Sequence, residues 1–217
     1  MTQASRRLVL SAVAAAVAAS VLSACAPLIV GGAAVGALVA IDRRTSGAQL
    51  EDEGIELRAA SRVREALGDR AHVNVTSYNR QVLITGEVPN DAARQQVEQI
   101  VSRVENVRSV VNELAVLGNT TLAQRSNDVL ITGKVRASLV DAKDLFAGAF
   151  KVVTKRGTTY LMGRVTQREA DRATAITRTV SGVQKVVRIF EIITEEELRR
   201  LQPQQAPQPA RAASAAR

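Results

Sequence analysis

The sequence is poor in the residues that most often carry chemistry. Among 217 residues there is one cysteine, one histidine and no tryptophan, and aromatic residues make up 2%. A single cysteine cannot close an internal disulfide. The single histidine, His72, has no second histidine and no further thiol with which to complete a metal site or a nucleophile and base pair. It is expected at the surface, at the start of a strand. Neither Thr85-Gly86-Glu87 nor Met162-Gly163-Arg164 supplies the glycine-rich loop at a helix start that cradles phosphate. Gly86 and Gly163 are instead expected at strand ends, where a bend needs backbone freedom. Ser, Thr, Asp and Glu are plentiful, but no pair recurs in a setting that would drive two pKa values apart for acid–base work. A non-enzymatic protein with neither cofactor nor metal is expected. The scarcity of rings leaves Val, Leu, Ile and Ala to fill the core, which favours small, regular units.

The N-terminus reads as an export and anchoring signal. Arg6 and Arg7 precede an uncharged run, Leu8 to Val21, that closes on Leu22-Ser23-Ala24-Cys25. This tetrapeptide resembles a bacterial lipobox. The resemblance implies that residues 1–24 are a signal peptide and that Cys25 becomes the first residue, with diacylglycerol on its sulfur and a fatty acyl group such as palmitate on its amino group. Each buried methylene contributes about 0.8 kcal/mol, so several chains hold stably. Ala26, rather than Asp, follows the cysteine, which resembles the sorting pattern for an outer-membrane lipoprotein facing the periplasm. From Pro27 to Ile41 the chain is apolar and rich in Gly and Ala, yet at fifteen residues it falls short of a span. Residues 25–47 are read as the lipidated cysteine and a flexible tether. The net charge of +8 then points to an anionic membrane surface, and nucleic acid is not an expected partner of an exported protein.

The rest of the chain contains one unit twice, with matches at spacings of 72 to 77 residues. Val63-Arg64-Glu65-Ala66-Leu67 answers Val135-Arg136-Ala137-Ser138-Leu139. Leu83-Ile84-Thr85-Gly86-Glu87-Val88 answers Tyr160-Leu161-Met162-Gly163-Arg164-Val165, and Asn106-Val107 through Val111 answers Gly182-Val183 through Val187. In the first copy Ala59, Val63 and Leu67 form one helical stripe. Alternation at Val73 and Val75 and again at Val82 and Ile84 gives two strands joined at Tyr78-Asn79-Arg80. A second helix, capped by Asn90 or Asp91, carries Val97, Ile100, Val101 and Val104, and a last strand runs from Val107 to Val116. The order predicts an α+β fold: two tandem αββαβ modules, each a three-stranded mixed sheet with both helices on one face. The modules are placed at residues 48–118 and 119–194, followed at 195–217 by a short helix, Glu195 to Leu201, and a Pro-, Gln- and Ala-rich tail expected to be disordered.

The paired glycine-containing strands, the second helix and the closing Gly182-Val183-Gln184-Lys185-Val186 segment resemble the BON domain, over roughly 140 residues. With the lipobox, the whole arrangement is similar to the outer-membrane lipoproteins that carry two BON domains. The first copy departs from the pattern in having Asn106 where Gly is usual. The resemblance implies a non-catalytic envelope protein whose second domain contacts anionic phospholipid, phosphatidylglycerol or cardiolipin, through its first helix and the adjoining loops.

The residues themselves favour that domain. Residues 48–118 carry eight arginines and no lysine against eleven acids, net −3; residues 119–194 carry thirteen bases against six acids, net +7. The first helix of the second copy, with Ile131, Val135 and Leu139 as its core stripe, has Val129 and Leu130 left over and Lys134 beside Leu130. An aliphatic tip next to an ammonium suits insertion at a lipid interface. The connection after that helix adds Lys143, Leu145 and Phe146; for Leu145 and Phe146, as for Phe150, closing the core is the alternative role. The candidate phospholipid site is thus Val129, Leu130, Lys134, Lys143, Leu145 and Phe146. A second reading gives the acidic first domain to protein partners, such as outer-membrane assembly or cell-wall remodelling factors.

Overall fold

The computed structural model describes residues 42–201. Cys25, the residues before it that are read as a signal peptide, and the tail after Leu201 lie outside the described residues, which form one compact unit.

The first module comprises α1 (Ser46–Leu67), a 3-10 turn (Gly68–Arg70), β1 (His72–Tyr78), β2 (Gln81–Val88), α2 (Asp91–Ser102) and β3 (Ser109–Val116). The second repeats the order with α3 (Leu122–Asp141), a 3-10 turn (Ala147–Ala149), β4 (Phe150–Lys155), β5 (Thr158–Val165), α4 (Gln167–Thr179) and β6 (Lys185–Ile192), and α5 (Glu195–Leu201) follows. In each sheet the first two strands are antiparallel and the third returns parallel beside the second. Helix starts are fixed by side chains that accept otherwise unpaired backbone N–H groups: Thr45 for α1, Asn90 for α2, and Thr121 and Thr166, each with a reciprocal capping box, for α3 and α4. Helix α1 begins at Ser46, inside the stretch assigned to the tether.

Each module has its own aliphatic core between helices and sheet, centred on Ile55, Ala59, Val63, Val82, Ile84 and Val97 in the first and on Ile131, Val135, Leu139, Val152 and Leu161 in the second. The buried stripes correct the alignment of the two copies. Helix α1 buries Asp52, Ile55, Ala59, Val63 and Leu67, whereas α3 buries Asp128, Ile131, Val135 and Leu139. Ile131 therefore answers Ile55, not Ala59, one helical turn from the match read in the sequence.

The buried aspartates explain this register. Both hairpins turn on two residues of positive φ, Asn79 and Arg80 in one and Arg156 and Gly157 in the other, a conformation that costs a non-glycine residue energy. Asp52 accepts the amides of Asn79 and Arg80 at 2.7 and 2.8 Å, and Asp128 those of Arg156 and Gly157 at 2.9 and 3.0 Å. One helical carboxylate thus holds each strained turn.

Gly86 and Gly163 do not mark a bend at a strand end. They lie within β2 and β5 opposite the beginning of the preceding strand. A Cβ would stand 1.9 Å from the His72 carbonyl oxygen at Gly86, where φ is +122°, and 2.3 Å from that of Ala149 at Gly163. The close approach of two backbones requires glycine there.

The sheet faces not covered by helices meet each other. Tyr78, Leu83, Tyr160, Met162 and Ile189 form a third core between the modules, with Val111, Val153 and Val187 against it. Leu83 and Tyr160 hold the same position in the two copies, so the seam is built from equivalent strands and completes the burial of both sheets.

Candidate functional site

Helix α3 is apolar on the side that faces water. Val129 and Leu130 are 71% and 63% exposed, and Leu122 and Val140 are exposed as well. Leu122, Val129 and Val140 recur at spacings of about two and about three turns, so they share one side of the helix. Exposed Gly133 and Ala137 fall between them, giving an aliphatic strip along α3 that exposed Arg136, two turns after Val129, borders on one side. Exposed Lys134 borders it. The sequence pattern picked out only Val129 and Leu130; Leu122 and Val140 lie outside the repeated motifs, and they join the strip because the helix runs from Leu122 to Asp141.

The six residues read as one site do not all converge. Val129, Leu130 and Lys134 occupy the first half of α3, while Lys143, Leu145 and Phe146 follow its C-terminus. Leu130 and the helix end at Asp141 are separated by roughly 16 Å of helix rise. Ala137 and Val140 bridge that interval. Phe146 is 41% exposed and Lys143 is exposed, so both extend the strip. Leu145 is different: it is half-buried and packs on the core with Ala147, Val183 and Phe190, so it closes the domain.

The segment entering the described structure is clamped. The Arg43 side chain is 6% exposed and binds both carboxylate oxygens of Glu169 at 2.7 and 2.8 Å while donating to the Arg164 carbonyl at 2.9 Å. Burial disfavours the Glu169 charge, but hydrogen bonds from Arg43 and Thr166 outweigh it and hold the carboxyl below the ordinary range. Its neighbour turns to the other module: Arg44 pairs with Asp42 and Asp52 at 2.6 Å each and lies 4.4 Å over the Tyr78 ring. Burial, with the nearby Asp42 charge, pushes the Tyr78 hydroxyl up to about 12. That hydroxyl donates to the Ala149 carbonyl at 3.4 Å. Two adjacent arginines therefore tie the entering chain to both modules, beside the turn that follows Phe146.

Opposite charge on the two copies also serves the seam. Glu56 pairs with Lys151 at 2.7 Å, Glu87 with Arg156 at 3.2 Å, and Arg108 with Glu191 at 3.1 Å. Glu87 is buried and also meets His72 Nδ1 at 3.2 Å, so His72 is a half-buried partner of a buried carboxylate and not a plain surface residue. At the equivalent position in the second copy stands Arg164, which pairs with Glu191 and Glu197. Part of the charge difference first read as a membrane preference is thus consumed between the modules, and Lys134 and Lys143 remain facing solvent. Among the described residues no helix is long and apolar enough to cross a membrane, and no cluster could hold a metal ion.

Two αββαβ units, each with a glycine-bearing central strand and a parallel return, define a protein of the BON-domain class. The BON domain pattern matches residues 56–118 and 127–193, and the chain belongs to this family. Its relatives narrow the group. It is 36% identical to outer membrane lipoprotein DolP of Haemophilus influenzae over 79% of this chain and 90% of that one. It is 30% identical to a 21 kDa hemolysin of Actinobacillus pleuropneumoniae over 70% of this chain and 80% of that one. Among solved structures, CdsD, a structural protein of the type III secretion system of Chlamydia trachomatis, aligns with 70% of this chain and 96% of its own at 15% identity and a TM-score of 0.28, too slight a likeness to argue from. Family and relatives together make this an outer-membrane lipoprotein with two BON domains.

Proposed function

We propose that the protein is acylated at Cys25, faces the periplasm, and binds anionic phospholipid, phosphatidylglycerol or cardiolipin, through the solvent face of α3, supporting the envelope without catalysis. The observation that carries this reading is the aliphatic strip from Leu122 to Val140, bordered by Lys134 on one side and Arg136 on the other and continued by Lys143 and Phe146. Aliphatic groups in water on a stable helix gain about 25 cal/mol for each Å² they bury, and a lysine near an anionic bilayer contributes about 1 kcal/mol. Domain boundaries at 48–118 and 119–194 fit this division, with the first module and the clamped residues 42–44 holding the second near the surface.

The test is sedimentation of a fragment spanning residues 40–217 with phosphatidylglycerol vesicles. Reversing one lysine charge alone removes about 2 kcal/mol, so Leu130→Glu with Lys134→Glu should weaken binding at least thirtyfold. Undiminished sedimentation of that variant would remove α3 from the site. Replacing Cys25 by Ser in the full chain should release it from the membrane fraction.

A further inference from the structure

A second surface runs along the seam. Strands β1 and β4, each the outer strand of its sheet, line a cleft of about 730 Å³, flanked by α1 and α3. They run in opposite directions there: Lys151 near the start of β4 donates to the Ser77 carbonyl near the end of β1 at 3.0 Å, while Arg156 just after β4 reaches Glu87, the partner of His72 at the start of β1. The rims are apolar and open, with Leu57 and Val129 being 73% and 71% exposed.

Three features of this cleft ask for a ligand. Alternate residues of an outer strand direct N–H and C=O away from the sheet, and the seam between the modules brings two such edges together. The Asn74 side chain lines the cleft with its Nδ2 buried and without a hydrogen-bond partner. A buried amide left unpaired costs about 1–3 kcal/mol. Lys155, also in the lining, is half-buried and forms no ion pair among the described residues, and desolvation lowers its pKa. The charges are also sorted by end. Exposed Glu53 stands at the end where Glu56 binds Lys151, and Arg125 and Lys155 stand at the other, where the one acid of that part of the lining, Asp128, is buried and bound by the Arg156 and Gly157 amides.

We propose that this cleft receives an extended peptide segment of a partner protein, about six residues or 20 Å long, which pairs through its backbone with β1 or β4. The segment carries aliphatic side chains in its middle, a basic residue beside Glu53 and an acidic residue beside Lys155 and Arg125. A lipid has no row of backbone groups to offer the strand edges, and an anionic headgroup is repelled at the Glu53 end, so the observations favour peptide. This inference shares Val129 with the lipid reading of α3 but does not rest on it.

The test uses the full chain in detergent micelles and a fluorescein-labelled, amidated hexapeptide, Lys-Val-Thr-Val-Thr-Glu. Saturable anisotropy with a Kd below about 1 mM is expected. A peptide with proline at the central valine should bind at least tenfold more weakly, and so should one ending in Lys in place of Glu. Lys155→Gln with Arg125→Gln should weaken the parent peptide at least tenfold; if that variant does not fold, the Lys-ended peptide reports the same contact on the unaltered chain. Leu130→Glu with Lys134→Glu should leave peptide affinity unchanged, which separates this proposal from the one above. Absence of saturable binding, or equal binding of the proline peptide, overturns it. So does a loss of phosphatidylglycerol vesicle binding in the Lys155 and Arg125 variant without peptide binding, which would assign the cleft to lipid.

Discussion

Asp52 and Asp128 hold the same post in the two modules and keep different company. Both accept two turn amides, but Asp52 also accepts the Ser77 hydroxyl at 2.6 Å and pairs with Arg44 from the entering chain. Asp128 is tied within its own module, and its helix presents an aliphatic strip to water. A repeat can thus keep one structural device and change what surrounds it: the first aspartate also binds the entering chain through Arg44, while the second sits on a helix that exposes a surface. The same division appears where Glu87 answers Arg164. Glu87 pairs with Arg156 across the seam, whereas Arg164 pairs with Glu191 in its own module and with Glu197 of α5.

The largest effect should come from the strand glycines. Gly86→Ala combines a severe contact with an unfavourable positive φ and should cost about 4 kcal/mol in urea denaturation. Gly163→Ala, with a longer contact and no such φ, should cost about 2 kcal/mol; a reversed order would break the proposed equivalence of the two approaches. Next, Asp52→Ala should cost about 3 kcal/mol, because besides freeing the turn amides it takes from Arg44 the more buried of its two carboxylate partners, against about 2 kcal/mol for Asp128→Ala. Equal losses would mean that the entering chain adds nothing to the first module.

A smaller difference should appear with pH. Asp52 is opposed by burial, yet hydrogen bonds from Ser77, Arg80, Arg44 and Asn79 hold it below the usual carboxylate range; Glu169 and Glu191 are likewise held low. The fold thus favours their ionised forms. Their contribution is full above the unfolded values, about 3.9 for Asp and 4.3 for Glu, and is lost as pH falls through the lower folded values. The urea midpoint should fall on acidification below about pH 4.5, and Asp52→Asn should make that fall shallower. An unchanged slope would place the acid sensitivity elsewhere.

Much of this architecture was legible in the sequence. The order αββαβ, the cap of the second helix at Asn90 and the short helix from Glu195 follow from periodicity and local chemistry; the threonine caps of the other three long helices were not picked out. The helix register did not, because Val and Leu recur every four residues and match equally well after a shift of one turn. Asp52, one acid among eleven in its module, carries no local mark of burial; only the neighbouring turn explains it. The seam left a clue in the unbroken apolar stretches Val82-Leu83-Ile84 and Tyr160-Leu161-Met162, since strands buried on both faces lose alternation. Which surface covered the second face was not legible, because that depends on the two copies meeting. The α3 strip was half legible: Val129 and Leu130 stood out, whereas Leu122 and Val140 needed the observed helix limits.

The clamp at Arg43 and Arg44 also has a mechanical meaning. A pull on the segment before Asp42 does not peel α1 from its first turn. Arg43 passes the load to Glu169 in one module and Arg44 passes it to Asp52 in the other, so the two share it in parallel. A force entering at Asp42 therefore turns both modules as one piece.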